Sequence, residues 1–201
     1  MLIVISSEAE IPTEAMYINQ LFALGMSCLH LRKPMASEEA CRRLINTIDT
    51  RYHQKIMLHQ HYGLCSEFGL KGIHLKEVFR RSLGKKGMTY VNNYQEKGFL
   101  VTSSFHSYQE LESCALSFDY FLLSPVFDSI SKKGYKGVEL DVTDSNKYIV
   151  GLGGISIKTI AKTVLLGYKG VAVLGAVWEN SDPVSGFKEL KICYQSNNLN
   201  L

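Results

Sequence analysis

Two glycine-containing turns follow apolar runs near the end of the chain. The first follows residues 148–152 and contains Gly153 and Gly154, and the second follows residues 170–173 and contains Leu174 and Gly175. Glycine lets main-chain N–H groups approach a ligand closely, and the start of a following helix adds the positive end of its dipole. The pair of turns therefore predicts a binding site for the phosphate of a small molecule.

Histidines form a second group of residues with possible chemistry. Five of the six lie at or just after the ends of apolar runs: His30, His59, His61, His74 and His106. One histidine of this kind is usually a satisfied buried side chain, but five at one rim favour a function. An imidazole with an ordinary pKa of about 6.5 can accept and return a proton near neutral pH.

The histidine spacing leaves a metal-dependent hydrolase open as an alternative. His59 and His61 are two residues apart at a strand end, so both could face a transition-metal ion, with His74 and His106 as further ligands. These positions carry no aspartate that would complete or orient a histidine site, which argues against this alternative.

A third group of polar residues lies at 129–132. Ser129 and Ser131 alternate with an apolar residue and precede Lys132, so two hydroxyls and an ammonium could bind a second phosphate. An ordinary polar surface loop would have the same composition, and the spacing alone does not distinguish the two.

The elements that position these residues alternate regularly. Short apolar runs without polar alternation, typical of parallel strands buried on both faces, occur at 2–5, 28–31, 55–58, 72–75, 99–102, 120–123, 148–152 and 170–174. Helical periodicity is found at 13–24, 37–48, 62–68, 107–116 and 157–166. The alternation predicts an α/β protein with a single (β/α)8 TIM barrel at 1–194, followed by a polar tail at 195–201.

Composition narrows the possible partners. A formal net charge of +3 suits an anionic substrate but is too small to indicate nucleic acid as a partner. Five scattered cysteines without a C-x-x-C pair are typical of a reducing compartment, and no apolar stretch of membrane-spanning length is present. We therefore expect a cytoplasmic protein that binds neither nucleic acid nor membrane. The sequence makes no prediction of oligomeric state.

Several short motifs, taken in order, resemble the thiamine-phosphate synthase family, which also contains the thiazole tautomerases. They are LHLRK at 29–33, GIHL at 72–75, SFH at 104–106, DY at 119–120, SPVF at 124–127, SISK at 129–132, LGGI at 152–155 and GVAVLGAV at 170–177. The resemblance runs from the second predicted strand to the eighth. It implies a (β/α)8 barrel that acts late in thiamine biosynthesis on a small phosphorylated heterocycle.

The resemblance also implies roles for individual residues. Synthases of this family join a hydroxymethylpyrimidine diphosphate to a thiazole phosphate and release pyrophosphate. The thiazole phosphate would be held by main-chain N–H groups of Gly153, Gly154, Leu174 and Gly175, and the terminal phosphate of the pyrimidine by Ser129, Ser131 and Lys132. His30 and Arg32 fall where the family places its diphosphate-contacting Gln and Arg, and Ser104 would lie near the reacting centre. Lys33, His59 and His74 would also bind substrate.

The chain departs from the synthase pattern where Mg²⁺ would bind. His59 and Gln60 replace an Asn-Asp pair, Phe79 replaces a second aspartate, and Pro34 replaces a lysine, although Glu77 and Lys33 lie close by. Because Mg²⁺ prefers oxygen ligands, it is implied as a cofactor only if the protein is a synthase, and no other cofactor is expected.

These departures favour a metal-independent thiazole tautomerase, in which His106 moves the proton and Lys132 assists. A divergent thiamine-phosphate synthase is the first alternative. The second is a non-catalytic sensor, which would bind thiazole phosphate without turning it over.

Overall fold

The computed structural model describes residues 1–128 and 136–198. Eight strands in these ranges form a closed parallel barrel in chain order, which confirms the predicted (β/α)8 fold. They are β1 (Leu2–Ile5), β2 (Cys28–Leu31), β3 (Ile56–Leu58), β4 (Gly72–Leu75), β5 (Leu100–Phe105), β6 (Tyr120–Leu123), β7 (Ile149–Leu152) and β8 (Gly170–Val173). Nearly all strand residues are buried, as expected for strands covered on both faces.

The helices of the described ranges are α1 (Glu14–Ala23), α2 (Glu38–Thr47), α3 (Gly63–Phe68), α4 (Glu77–Ser82), α5 (Gly87–Gln95), α6 (Tyr108–Ser113), α7 (Ile160–Leu165), α8 (Gly175–Trp178) and α9 (Pro183–Asn198). Their ends follow local rules. Ser37 caps α2 by accepting a hydrogen bond from the N–H of Ala40 at 3.1 Å. Gly69 ends α3 in the left-handed conformation, with φ of 58°.

The strand–helix alternation is less regular in the described residues than predicted. Two helices, α4 and α5, lie between β4 and β5, where the alternation predicted one helix without locating it. Between β6 and β7, the described residues 124–128 and 136–148 contain no helix. Side chains close turns there instead, since Asp141 accepts from the N–H of Thr143 at 2.8 Å. The last helix runs to Asn198 and so crosses residue 194, where the barrel domain was predicted to end.

The chain divides into two compact units. The N-terminal unit comprises Ile5–Ser103 and Leu116–Asp119, and the C-terminal unit comprises Met1–Val4, Ser104–Ala115 and Tyr120–Leu201. In the N-terminal unit, β2, β3, β4 and most of β5 form a parallel ladder. In the C-terminal unit, β6, β7, β8 and β1 do the same.

Each unit buries its own apolar side chains, with Ile18 and Leu21 of α1 fully buried in the first and Phe187 of α9 in the second. All five cysteines lie in the described ranges as free thiols. Within those ranges, none of the helices has both the length and the hydropathy needed to cross a membrane.

Candidate active site

The turn after β7 forms the first part of the candidate site in the C-terminal unit. Gly153 and Gly154 have φ of 97° and 65°, a region that other residues seldom adopt. A Cβ on Gly154 would lie 2.4 Å from the carbonyl oxygen of Asp128, and one on Gly153 would lie 2.9 Å from Cα of Pro125. Only glycine fits at either position, so main chain rather than side chain lines this turn.

The turn after β8 forms the second part. Leu174 is the residue before α8, and Gly175 is buried as the first residue of that helix. The N–H groups of a first helical turn have no acceptor within the helix, so they can bind an anion. Because α8 has only four residues, its dipole adds little to what the main-chain N–H groups offer.

The loop after β6 packs on the first glycine turn. The N–H of Val126 donates to the carbonyl of Leu152 at 2.9 Å, and the N–H of Phe127 donates to that of Gly153 at 3.0 Å. The chain then continues into residues 129–135. Ser129, Ser131 and Lys132 therefore lie outside the described residues, and their predicted roles stay predictions.

His106 follows β5 directly and is exposed. Its Nδ1 lies 2.9 Å from the carbonyl oxygen of Ser124 and 3.2 Å from the hydroxyl of the same residue. A carbonyl can only accept, so the first contact requires a proton on Nδ1 and makes Nε2 the basic nitrogen. Ser104 lies half-buried in β5, two residues earlier.

Three histidines come together in the N-terminal unit because of strand register. Met57 of β3 lies beside both His30 of β2 and Gly72 of β4. Side chains alternate between the two faces of a strand, so His59, two residues beyond Met57, faces the same side as His30 and lies level with His74. His74 is in turn level with Thr102 of β5.

The contacts within this group agree with the register. Nδ1 of His30 lies 2.9 Å from Nε2 of His59, and the rings of His59 and His74 stack with centroids 4.2 Å apart. Nδ1 of His74 lies 2.8 Å from the hydroxyl of Thr102. We call His30, His59 and His74 the histidine cluster. His61, predicted beside His59, instead approaches the carbonyl of Ala36 at 3.0 Å.

Burial controls the charge of the histidine cluster. It lowers the pKa of His30 to about 3, and it also lowers the pKa of His59 and His74. The neighbouring histidines and the positive charges of Arg32 and Lys76 lower the pKa of His59 and His74 further. All three imidazoles are therefore neutral near pH 7 and offer lone pairs.

Arg32 and Lys33 are both held by glutamates. Arg32 forms an ion pair with Glu8. Nζ of Lys33 lies 2.5 Å from a carboxylate oxygen of Glu14 and 2.7 Å from the carbonyl oxygen of Ala9, and both side chains of this ion pair are almost fully buried. Lys33 was predicted to contact substrate, but the structure places its ammonium in this internal pair. Burial raises the pKa of Glu14, and Lys33 partly opposes the shift.

The positions at which the family holds Mg²⁺ do not fit that ion. The imidazole of His59 belongs to the histidine cluster, and the side-chain amide of Gln60 donates to the carbonyl of Lys33. Glu77 forms an ion pair with Arg81 at 2.6 Å. The donor set at these positions is nitrogen-rich, whereas Mg²⁺ requires oxygen ligands in octahedral geometry.

Sequence reasoning missed Glu14 and Thr102. Glu14 looked like an ordinary acidic residue of the first helical turn, yet it is 2% exposed. Thr102 looked like a β-branched strand residue, yet its hydroxyl contacts His74. Nothing in the sequence marked Thr102, because only the register of β4 and β5 brings it level with His74.

Similarity to known proteins agrees with this architecture. A closed barrel of eight parallel strands with helices between them defines the (β/α)8 class of proteins. The thiamine monophosphate synthase family model matches residues 1–177, so the chain belongs to that family.

The individual relatives are distant. A thiamine-phosphate synthase of Listeria monocytogenes is 28% identical over 169 residues, covering 80% of this chain and 73% of the relative. The crystal structure of a thiamine phosphate pyrophosphorylase from Bacteroides thetaiotaomicron superposes with a TM-score of 0.73 at 26% identity, covering 96% of this chain and 97% of the other. A thiamine phosphate pyrophosphorylase from Pyrococcus furiosus superposes with a TM-score of 0.77 at 18% identity, covering 98% and 96% of the two chains, which supports the fold alone.

Proposed function

We propose that the protein is a divergent thiamine-phosphate synthase, which joins a hydroxymethylpyrimidine diphosphate to a thiazole phosphate and releases pyrophosphate. The observation that carries the proposal is the family match over residues 1–177, together with relatives that are named thiamine-phosphate synthase. These names favour the synthase over the tautomerase that the sequence departures led us to expect.

The thiazole phosphate binds, in this proposal, to main-chain N–H groups of the two glycine turns. Among the described residues, no oxygen accepts from the N–H of Gly154. The N–H of Gly154 and the N–H groups at the start of α8 are therefore the donors proposed for the phosphate. They are main-chain groups and carry no net charge. Because the turns are fixed by β7 and β8, the donors are already oriented and little ordering is needed on binding.

The diphosphate requires positive charge, since its leaving group develops negative charge as the carbon–oxygen bond breaks. Arg32 and Lys76 supply cationic groups in the N-terminal unit, and both act on the pKa of His59 and His74. A guanidinium can bind two phosphate oxygens at once, which suits Arg32 for this role once the substrate displaces Glu8. No step is assigned to Mg²⁺, because the residues at its family position do not fit it.

The coupling assay tests this proposal directly. Purified protein is incubated with both substrates, and thiamine phosphate and pyrophosphate are measured with and without Mg²⁺. We expect equal amounts of both products, and we expect Arg32→Gln to lower kcat/KM at least tenfold. Arg51→Gln is the matched control, because Arg51 is an exposed arginine that forms an ion pair with nearby Asp49. No product above background at high enzyme concentration would exclude the synthase.

One observation favours the tautomerase as a second candidate. The hydrogen bond from Nδ1 of His106 to Ser124 orients the ring and makes Nε2 a general base. Such a base could remove a proton from a thiazole phosphate carboxylate and return it at another atom without a metal.

The tautomerase assay follows conversion of the thiazole tautomer by chelator-treated protein. We expect His106→Asn to abolish conversion and His61→Asn to leave it intact if this is the reaction. Unchanged turnover in His106→Asn would remove that residue from its role. Binding of thiazole phosphate without turnover in either assay would identify the sensor instead.

A further inference from the structure

The histidine cluster has no role in either proposed reaction, yet it is the densest group of potential ligands in the described part of the chain. The three side chains are at most 5% exposed, and each offers one ring nitrogen within 4.8 Å of the others. Neutral polar groups placed so deeply are costly unless they are satisfied. Three imidazoles from adjacent strands are also a typical protein ligand set of a zinc centre.

We propose that His30, His59 and His74 bind a divalent transition-metal ion of the zinc type. Three nitrogen donors without a carboxylate suit zinc, cobalt or nickel and exclude magnesium as the preferred ion. The site shares His59 with the position at which the family holds magnesium, whereas its other ligands are His30 and His74.

The geometry needs only small adjustments to hold such an ion. Tetrahedral zinc with bonds of about 2.0–2.1 Å places its ligand nitrogens about 3.3 Å apart. The present distance between Nδ1 of His30 and Nε2 of His59 is 2.9 Å, and the largest separation in the cluster is within 4.8 Å. The required spacing lies between these two values, so changes of about 0.4–1.5 Å in the nitrogen separations are enough.

Thr102 supplies the outer support that such sites use. Its hydroxyl contacts Nδ1 of His74 at 2.8 Å, and Thr102 is fully buried, so it holds the ring in place and leaves Nε2 as the nitrogen for a metal. The positive charges of Arg32 and Lys76 act on His59 and His74, which disfavours a bare dication. A fourth ligand with an anionic oxygen would offset this charge and complete the tetrahedron.

Metal titration tests the proposal without depending on catalytic activity. Chelator-treated protein is titrated with Zn²⁺ by calorimetry and with Co²⁺ by visible absorption. We expect one equivalent of each and the intense absorption of four-coordinate cobalt. His59→Asn and His74→Asn should abolish this absorption, and Thr102→Val should weaken Zn²⁺ binding about 10–100-fold.

His61→Asn is the matched control, since His61 lies near the same strand end but outside the cluster, and it should bind as the wild type does. Substoichiometric binding by the wild type, or the weak absorption of six-coordinate cobalt, would overturn the proposal even if a cluster variant fails to fold. Binding that persists in both cluster variants, or that is lost in His61→Asn, would overturn it as well.

Discussion

The ion pair between Lys33 and Glu14 gives a quantitative prediction for the variant Lys33→Met. The change removes the ammonium that lies 2.5 Å from the Glu14 carboxylate, and the side chains are 5% and 3% exposed. Methionine retains most of the side-chain length and volume, so loss of the charge is the main perturbation. Breaking a buried ion pair in this way costs about 3–5 kcal/mol, because the remaining charge is left buried.

Protonation of Glu14 limits this cost and makes it depend on pH. The ordinary pKa of the carboxyl is 4.5, so protonating it costs about 3.4 kcal/mol at pH 7 and about 0.7 kcal/mol at pH 5, at 1.36 kcal/mol per pH unit. In the variant, the folded-state pKa of Glu14 lies above its unfolded-state value. The contribution of protonated Glu14 to the stability of the variant is therefore fully present below pH 4.5. This contribution is lost as pH rises through the folded-state pKa of Glu14.

Urea unfolding followed by far-ultraviolet circular dichroism measures both effects. We expect Lys33→Met to be about 3 kcal/mol less stable than the wild type at pH 7, with most of the deficit gone at pH 5. Lys97→Met removes an exposed lysine and should change stability by less than about 0.5 kcal/mol. The double variant Glu14→Gln/Lys33→Met should be more stable than Lys33→Met at pH 7 and should lack its pH dependence.

Two results would refute this reasoning. One is a Lys33→Met protein as stable as Lys97→Met at pH 7, and the other is a deficit of equal size at pH 5 and pH 7. The first would mean that Glu14 and Lys33 are solvated in solution, which would return Lys33 to the predicted role of contacting substrate. The second would mean that the lost stability does not come from the buried charge of Glu14.

Three further predictions test the glycine turn, the core and a helix cap. Gly154→Ala should lose about 2–5 kcal/mol in urea unfolding, because its φ is 65° and a Cβ would overlap the carbonyl of Asp128; Gly63→Ala, with open space around the position, should lose nothing. Phe187→Ala should lose about 3–5 kcal/mol, and an unchanged thermal midpoint would show that α9 is not packed. Ser37→Ala should cost about 0.5–2 kcal/mol in urea, whereas Ser37→Asp should keep the cap.

The strands could be predicted closely from sequence because their signal is local. The apolar runs at 2–5, 28–31, 72–75 and 120–123 coincide with β1, β2, β4 and β6. Strands buried on both faces need apolar residues at every position, so a run and its bounds are visible without knowledge of the partner strand.

The helices between β4 and β5 could not be predicted in the same way. The buried residues of α5 are Gly87 and Val91, and the buried residue of α4 is Arg80. Val91 is the one aliphatic side chain among these three. A helix with so few buried apolar positions has no clear period in its sequence. Conversely, the link between β6 and β7 was expected to be helical from the regular alternation alone, a topological argument without local support.

The glycine turns and the histidine cluster also differ in what the sequence reveals. Gly153 and Gly154 could be recognised because the need for positive φ and close approach is encoded in the residue type itself. The histidine cluster depends on which strands are neighbours and on their register. The positions of His59 and His74 along the chain place them at strand ends, but only the pairing of Met57 with Gly72 makes them level.

This difference explains how one backbone can present different metal chemistry. The register of β3 and β4 places any two side chains at positions 59 and 74 side by side, whatever their type. With carboxylates nearby, such a pair favours hard ions such as Mg²⁺; with imidazoles, it favours softer transition metals. The glycine turns after β7 and β8 depend on main-chain geometry and are unaffected by this exchange. The proposals for the glycine turns and for the histidine cluster can therefore be tested separately, because an exchange of side chains at positions 59 and 74 leaves the main chain of the turns unchanged.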